Sequence, residues 1–370
     1  LMGFGVCAVQ AAPLGAEGWK KHVIQEGTNP MTAIAADFTG DGKVDVITNH
    51  GGKTWLLVAP DWREIEIDNR PSHSFIHSEV IDVDGDGDMD YIGARYSPGL
   101  IVWLENPQRP EVEPWPLHIV DDQVDGIHGV IVGDIDNDGT LDLLATSAQP
   151  KGPHPESLAW FRIPKYPTAV RRWERYIFAD KNAPGLSHYL GVGDVNGDGR
   201  TDAASAAKSP PAGNWFAWWE APADPRQTWK KHVVGEGHEG ATNIHPVEVN
   251  GDGRVDFIAS RGHGVGVVWF EAPSWKEHAI DASFAAPHCL VAVDLDADGD
   301  VDAASCGSYD ARVAAWFEND GKGNFSTHII ANEQAAYDIR AIDIDSDGDL
   351  DILVAGQHSN NVVWYESPMK

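Results

Sequence analysis

Residues 82–90 read Asp82-Val83-Asp84-Gly85-Asp86-Gly87-Asp88-Met89-Asp90, with acids on alternate positions and two glycines between them. The pattern D-x-[D/N]-x-D-G-x-x-D returns with Asp134, Asp136, Asp138 and Asp142, with Asp294, Asp296, Asp298 and Asp302, and with Asp343, Asp345, Asp347 and Asp351. Three variants complete the series: Asp194, Asn196, Asp198 and Asp202; Glu248, Asn250, Asp252 and Asp256; and Asp37, Asp41 and Asp45 with Thr39 in the second ligand place. First positions fall at 37, 82, 134, 194, 248, 294 and 343, so the spacing runs from 45 to 60 residues. Self-similarity at such a period marks a solenoid or a propeller.

Alternate oxygen-bearing side chains around a tight glycine turn suit a hard cation, and in this number they suit calcium. Calcium is therefore expected in up to seven loops, less strongly in those of Thr39 and Glu248. An EF-hand shares the opening of the motif but places Glu at loop position 12 between helices. Here position nine is Asp, and the flanks, such as Gly129-Val130-Ile131-Val132-Gly133, are short β-rich runs. The four ligand places of the seven loops account for 25 of the 57 acids, against 27 Lys plus Arg in the chain. The net charge of −30 thus belongs largely to the loops. It argues against nucleic acid, whose phosphates need a basic footprint.

Each repeat continues alike. After the loop comes a strand such as Phe257-Ile258-Ala259, then a strand ending in Trp, as in Val268-Trp269-Phe270-Glu271, then a fourth in the pattern W-x-x-H, as in Trp275-Lys276-Glu277-His278. Four strands per repeat make a propeller blade. The seventh repeat stops at Glu366-Ser367-Pro368-Met369-Lys370 without its fourth strand, while Trp19-Lys20-Lys21-His22-Val23-Ile24 precedes the first loop unattached. Joined, they complete one blade and remove an open sheet edge. The expected fold is all-β: one seven-bladed propeller over residues 19–370.

These motifs resemble the FG-GAP or VCBS repeat family over residues 19–367. The resemblance implies a calcium-bound β-propeller. Similar propellers occur in integrin alpha chains, a fungal N-acetylglucosamine-binding lectin, several polysaccharide lyases and, more loosely, a fungal aldos-2-ulose dehydratase. Fold alone does not assign an activity, which has to come from the site.

Histidines offer that site. Of 16, five (His22, His118, His232, His278, His328) fall in outer strands and read as blade packing. The other eleven, His50, His73, His77, His128, His154, His188, His238, His245, His263, His288 and His358, fall in segments at the end opposite the loops, here called the top, or just below it. His128, His188 and His288 lie six residues before the first Asp of their loops; Tyr337 shares that register, and His77 is one residue off it. Equivalent inner-strand positions converge on the axis. Beyond the loops, His50, Arg95 and Arg261 occupy equivalent places, with Tyr96, Lys208, Tyr309 and His358 nearby. An axial pocket rich in His, Arg and Tyr is expected, with His245 and His77 among its lining. The repeated tryptophans are expected in the core between blades rather than as sugar platforms.

Such a pocket suits an eliminating enzyme, a carbon–oxygen lyase acting on acidic carbohydrate. Arg95 and Arg261 would hold a carboxylate, His128, His188 or His288 would serve as base, and Tyr337 or Tyr96 as acid. A transition metal on the three histidines would be an alternative way to neutralise the carboxylate. A lectin without chemistry and an adhesion module remain the competing readings. The top connections differ from blade to blade, as in Ala94-Arg95-Tyr96 and Ala207-Lys208-Ser209, which favours one asymmetric site over seven equal ones.

Residues 1–18 are expected to be the remainder of a secretory signal and leader, with Val9-Gln10-Ala11 as its small-residue cleavage site, so export is expected. Cys289 and Cys306 read equally as a disulfide or as two buried thiols. No apolar run is long enough to span a membrane.

Overall fold

In each of the seven loops, the glycine at position six takes a positive φ, from 78° at Gly253 to 101° at Gly348, a conformation that costs a side-chain-bearing residue dearly. That turn folds the loop back on its own first acid: the Asp41 and Gly42 amides donate to Asp37 at 3.0 and 2.8 Å, and those of Asp138 and Gly139 to Asp134 at 3.1 and 3.0 Å. The longer Glu248 accepts three such amides through one oxygen. Position nine has a second task besides facing the loop. Asp90 accepts the Val83 amide on one oxygen and the Asn106 amide on the other, tying loop to third strand, and Asp202, Asp256, Asp302 and Asp351 repeat the arrangement. Buried and only partly compensated, these carboxyls are pushed up to about 7 at Asp90, Asp202, Asp302 and Asp351.

The computed structural model describes residues 18–70 and 73–369. The expected leader otherwise lies outside the described residues. Seven antiparallel four-stranded sheets follow one another: Ala33–Asp68, His77–Asp121, Val130–Ala179, Ser187–Glu236, Asn243–Ala285, Pro287–Ala331, and Asp338–Glu366 completed by Lys20–Glu26. They are blades one to seven. The closing strand pairs Lys20 with Glu366 and Val23 with Val363, as the chain ends suggest.

Seven apolar clusters fill the interfaces between neighbouring blades. One joins blades two and three through Trp103, Phe161 and Trp173; another joins blade seven to blade one through Trp364, Leu353 and Leu57, sealing the ring. Burying one large side chain here stabilises by roughly 1.5–3 kcal/mol. The outer-strand histidines are packing elements: His22, His118, His232, His278 and His328 each stack on the third-strand tryptophan at 4.1–4.7 Å and bond a Glu two residues beyond it. In blade three Tyr176 stacks on Trp160 in that place. Cys289 and Cys306 are paired across strands as buried free thiols. Among the described residues, no helix is long and apolar enough to cross a membrane.

Candidate functional site

Neighbouring inner strands come into close contact where a side chain is absent. A Cβ on Gly129 would stand 2.6 Å from the His188 carbonyl oxygen, and one on Gly191 would stand 2.3 Å from that of Ile244. Glycine there lets blades three, four and five crowd together, and the imidazoles of His128 and His188 come to lie 3.9 Å apart. Gly262 does the same for a connection: a Cβ there would meet Thr242 Oγ1 at 2.6 Å and the His288 Cα at 2.7 Å. The loop therefore leans over inner strand six and carries His263 to the axis.

The top tier is a nearly closed ring of rings. His188 lies 5.1 Å from His288 and 5.3 Å from His263, and His288 lies 4.3 Å from Tyr337. Tyr96 edges onto His128 at 5.0 Å. Lys208 Nζ donates to His263 Nε2 at 2.8 Å, and His188 Nε2 stands 3.3 Å from the same atom. Backbone contacts fix the set: Thr146 Oγ1 accepts the amide of His128, and His288 Nδ1–H donates to the Tyr337 carbonyl at 3.1 Å. His188 and His288 are fully buried behind the partly exposed His128, Lys208, His263 and Tyr337, so the cluster opens towards the top.

One residue lower stand His77 and Tyr189, 4.7 Å apart, with the Tyr189 hydroxyl donating to the Tyr337 carbonyl at 3.1 Å. Below them Arg340 pairs with Glu79 at 3.1 Å and Asp338 at 3.5 Å and donates to the Ser78 carbonyl at 2.8 Å. These groups border a channel cavity of about 90 Å³ that His245 also lines. Arg340 and its acids plug the axis beneath the imidazoles.

Burial sets the protonation of the cluster. It depresses His77, His128 and His188 well below the ordinary histidine range, with neighbouring cationic groups adding to the effect; His263 falls to about 4 and His288 to about 3. The imidazoles are neutral at pH 7 and can accept a proton or bind a metal. Burial also lowers the Lys208 ammonium and raises the Tyr96 phenol.

The expected site residues divide. His77, His128, His188, His288, Tyr337, Tyr96 and Lys208 converge; His358 sits to the side against Tyr309, at 4.7 Å. His245 lies in the lower channel, its Nε2–H donating to the Leu290 carbonyl at 3.1 Å. Three residues are not part of the cluster. Arg261 turns outward to His238 Nδ1 at 3.0 Å and Glu277 at 2.8 Å, Arg95 Nε donates to the Pro98 carbonyl within its own loop, and His50 stacks on Trp55 in blade one. They lie five residues after their loops, whereas Tyr96 and Lys208 lie six and His263 seven. Tyr96 and Lys208 lie one step beyond that place, where a pleated chain reverses the side-chain direction; His263, two steps beyond Arg261, is brought in by the connection that Gly262 lets lean over inner strand six. His263 and Tyr189 are the additions that register counting passes over.

At the other end, the four loops with acids in all four ligand places bring carboxylates together. Asp82, Asp84 and Asp86 offer oxygens within 4.8 Å of one another, as do Asp134, Asp136 and Asp142, Asp294, Asp296 and Asp302, and Asp343, Asp345 and Asp347. Position seven of these loops is Asp88, Thr140, Asp300 or Asp349; burial and then the neighbouring carboxylates raise the three acids, Asp349 to about 6. The other three loops carry Lys43, Arg200 and Arg254 there, each paired with the acid at position five. A larger recess of about 650 Å³ lies beside the loops of blades two and three, lined by Asp82, Asp84, Asp138 and Arg162. It holds no imidazole or phenol, so its size does not outweigh the chemistry gathered on the axis.

The profile of the FG-GAP-like repeat matches residues 82–145, 194–259 and 294–354, each stretch running from one acidic loop through the next. The chain belongs to the FG-GAP-like repeat family. No curated protein matches it significantly. Among solved structures, this FG-GAP-like chain is similar to an Agrocybe aegerita lectin described as specifically recognising non-reducing terminal N-acetylglucosamine, at 18% identity and TM-score 0.56, covering 92% of this chain and 86% of that one. It is also similar to streptogramin B lyase, at 13% identity and TM-score 0.61, over 94% and 97% of the two chains. At these identities the likeness carries the fold alone.

Proposed function

We propose that this protein is an exported, calcium-loaded propeller that takes acidic carbohydrate into its axial top pocket and cleaves it by elimination. The observation that carries the reading is the convergence of neutral imidazoles, two phenols and one lysine in a single asymmetric site. Elimination beside a uronate carboxylate needs a base for the carbon-bound proton, an acid for the leaving oxygen and a cation for the carboxylate. His128, partly exposed and neutral, supplies the base; Tyr337 or Tyr96 supplies the acid; Lys208, seated on His263 Nε2, takes the place first expected of Arg95 and Arg261. Calcium in the acidic loops holds the opposite rim, most tightly in blades two, three, six and seven, since affinity rises with ligand charge. In blade three Arg162 spans Asp136 and Asp138 at 3.1 and 2.8 Å and has to move aside.

The test is ultraviolet absorbance from unsaturated uronate products on a panel of acidic polysaccharides, with His263→Ala and His188→Ala as controls. A signal that rises with the native chain and is lost in both variants supports a lyase. A flat trace on every substrate favours the second reading, a lectin, for which the likeness to the Agrocybe aegerita protein is the specific support. Glycan binding abolished by the same variants would then keep the pocket as the site.

A further inference from the structure

The axial histidines have a property that elimination chemistry does not require: three of them present nitrogens to one point. His188 comes from the inner strand of blade four, His263 from a connection in blade five and His288 from the inner strand of blade six, and one ring nitrogen from each lies within 4.8 Å of the others. We propose that His188, His263 and His288 form a binding site for a single divalent transition-metal ion of the zinc class, separate from the calcium of the acidic loops.

The spacing supports it. Two imidazole nitrogens bonded to one tetrahedral ion at about 2.0–2.1 Å stand about 3.3 Å apart. His188 Nε2 and His263 Nε2 are already 3.3 Å apart. The third ring is oriented as a metal-bound histidine is: His288 Nδ1–H donates to the Tyr337 carbonyl, which fixes the tautomer and leaves the Nε2 lone pair available. His128 packs 3.9 Å from His188 and screens one side, its Nδ1 buried without a hydrogen-bond partner. No carboxylate belongs to the trio, so the site is an all-imidazole one that suits zinc, copper, nickel or iron rather than calcium or magnesium.

Lys208 now stands on one of the three ligand atoms. Its ammonium donates to His263 Nε2, the lone pair the ion would use, so metal entry must displace Lys208. Three protein ligands leave a fourth position, on the side of the partly exposed His263 and Tyr337, for water or a ligand oxygen. Such an open position distinguishes a reactive site from a structural one.

Cobalt(II) serves as the probe. The full chain is stripped with chelator, saturated with calcium to fill the acidic loops, and titrated with cobalt while its visible absorption is followed. One equivalent should bind with the intense bands of tetrahedral cobalt and be displaced by zinc. His263→Ala should lose those bands, His278→Ala on an outer strand should keep them, and Lys208→Met should bind at least as tightly as the native chain. Circular dichroism in calcium checks that each variant is folded. Absence of the bands in the native chain, or undiminished bands in a folded His263→Ala, overturns the site. The readout contains no sugar, so its failure leaves the carbohydrate reading standing, and an inactive but cobalt-binding protein would leave this one.

Discussion

The two ends of this propeller use repetition in opposite ways. At the bottom, one nine-residue loop is built seven times with the same glycine turn and the same clamping Asp at position nine. At the top the blades contribute unequally: an imidazole in three, four, five and six, a phenol in seven, a lysine from one connection and a tyrosine from another. The bottom is dominated by carboxylate oxygens and is largely negative, the top is dominated by imidazole nitrogens and is largely neutral. Sameness serves the ring, since every blade must meet its neighbours in the same way. Departure from it at the axis, where seven strands face one point, produces a site.

Calcium removal should break the comparison most severely from below. Each acidic loop filled at a hundredfold over its dissociation constant adds about 2.7 kcal/mol, so chelation should lower the unfolding midpoint strongly, as scanning calorimetry would read. A midpoint indifferent to calcium would deny the bottom its stabilising role. From above, His263→Ala should reduce turnover roughly 10²–10⁴-fold with little change in that midpoint, whereas His278→Ala should leave the rate unchanged.

Between the ends lies the Arg340 plug. Arg340→Met would leave Glu79 and Asp338 buried without their partner and should cost about 3–5 kcal/mol, read by urea unfolding at constant calcium. An unaffected variant would mean that those acids are already neutral. A pH series sharpens the same region. His245 is depressed by burial to about 4, so the unfolded chain takes up a proton that the folded chain refuses as pH falls from 6.5. Stability from this group is full above 6.5 and declines towards 4 at roughly 1.4 kcal/mol per pH unit. His245→Gln removes that decline, so the gap between native and variant should narrow over this window; a constant gap would place the proton elsewhere. The smallest effect belongs to the rim: His232→Ala, losing its stack on Trp218, should cost about 1 kcal/mol.

How much of this was legible follows from the same contrast. The period of the acid loops gave the repeat, the strand pattern after each loop gave four strands to a blade, and the half-blades at residues 19–24 and 351–366 gave closure, because a repeated unit announces its own boundaries. The six-residue register placed His128, His188, His288 and Tyr337 correctly on the axis, since inner strands start level with one another. Connections have no such register. His50, Arg95 and Arg261 looked equivalent in sequence but point elsewhere, while His263 reaches the axis only because Gly262 lets its loop lean inward. Tyr189 follows His188 directly and shares the position of His77, a relation visible only once the tiers are counted from each loop. Lys43, Arg200 and Arg254 share position seven of their loops in the sequence, but only the turn of the folded loop brings each onto the acid at position five.

The most direct measurement is the initial rate of unsaturated-uronate formation, at saturating calcium, for the native chain, His263→Ala and His278→Ala on the same acidic polysaccharide. Activity lost only in His263→Ala places the function on the axis at the top. A native chain inactive on every acidic substrate, or a rate that His263→Ala leaves intact, contradicts it.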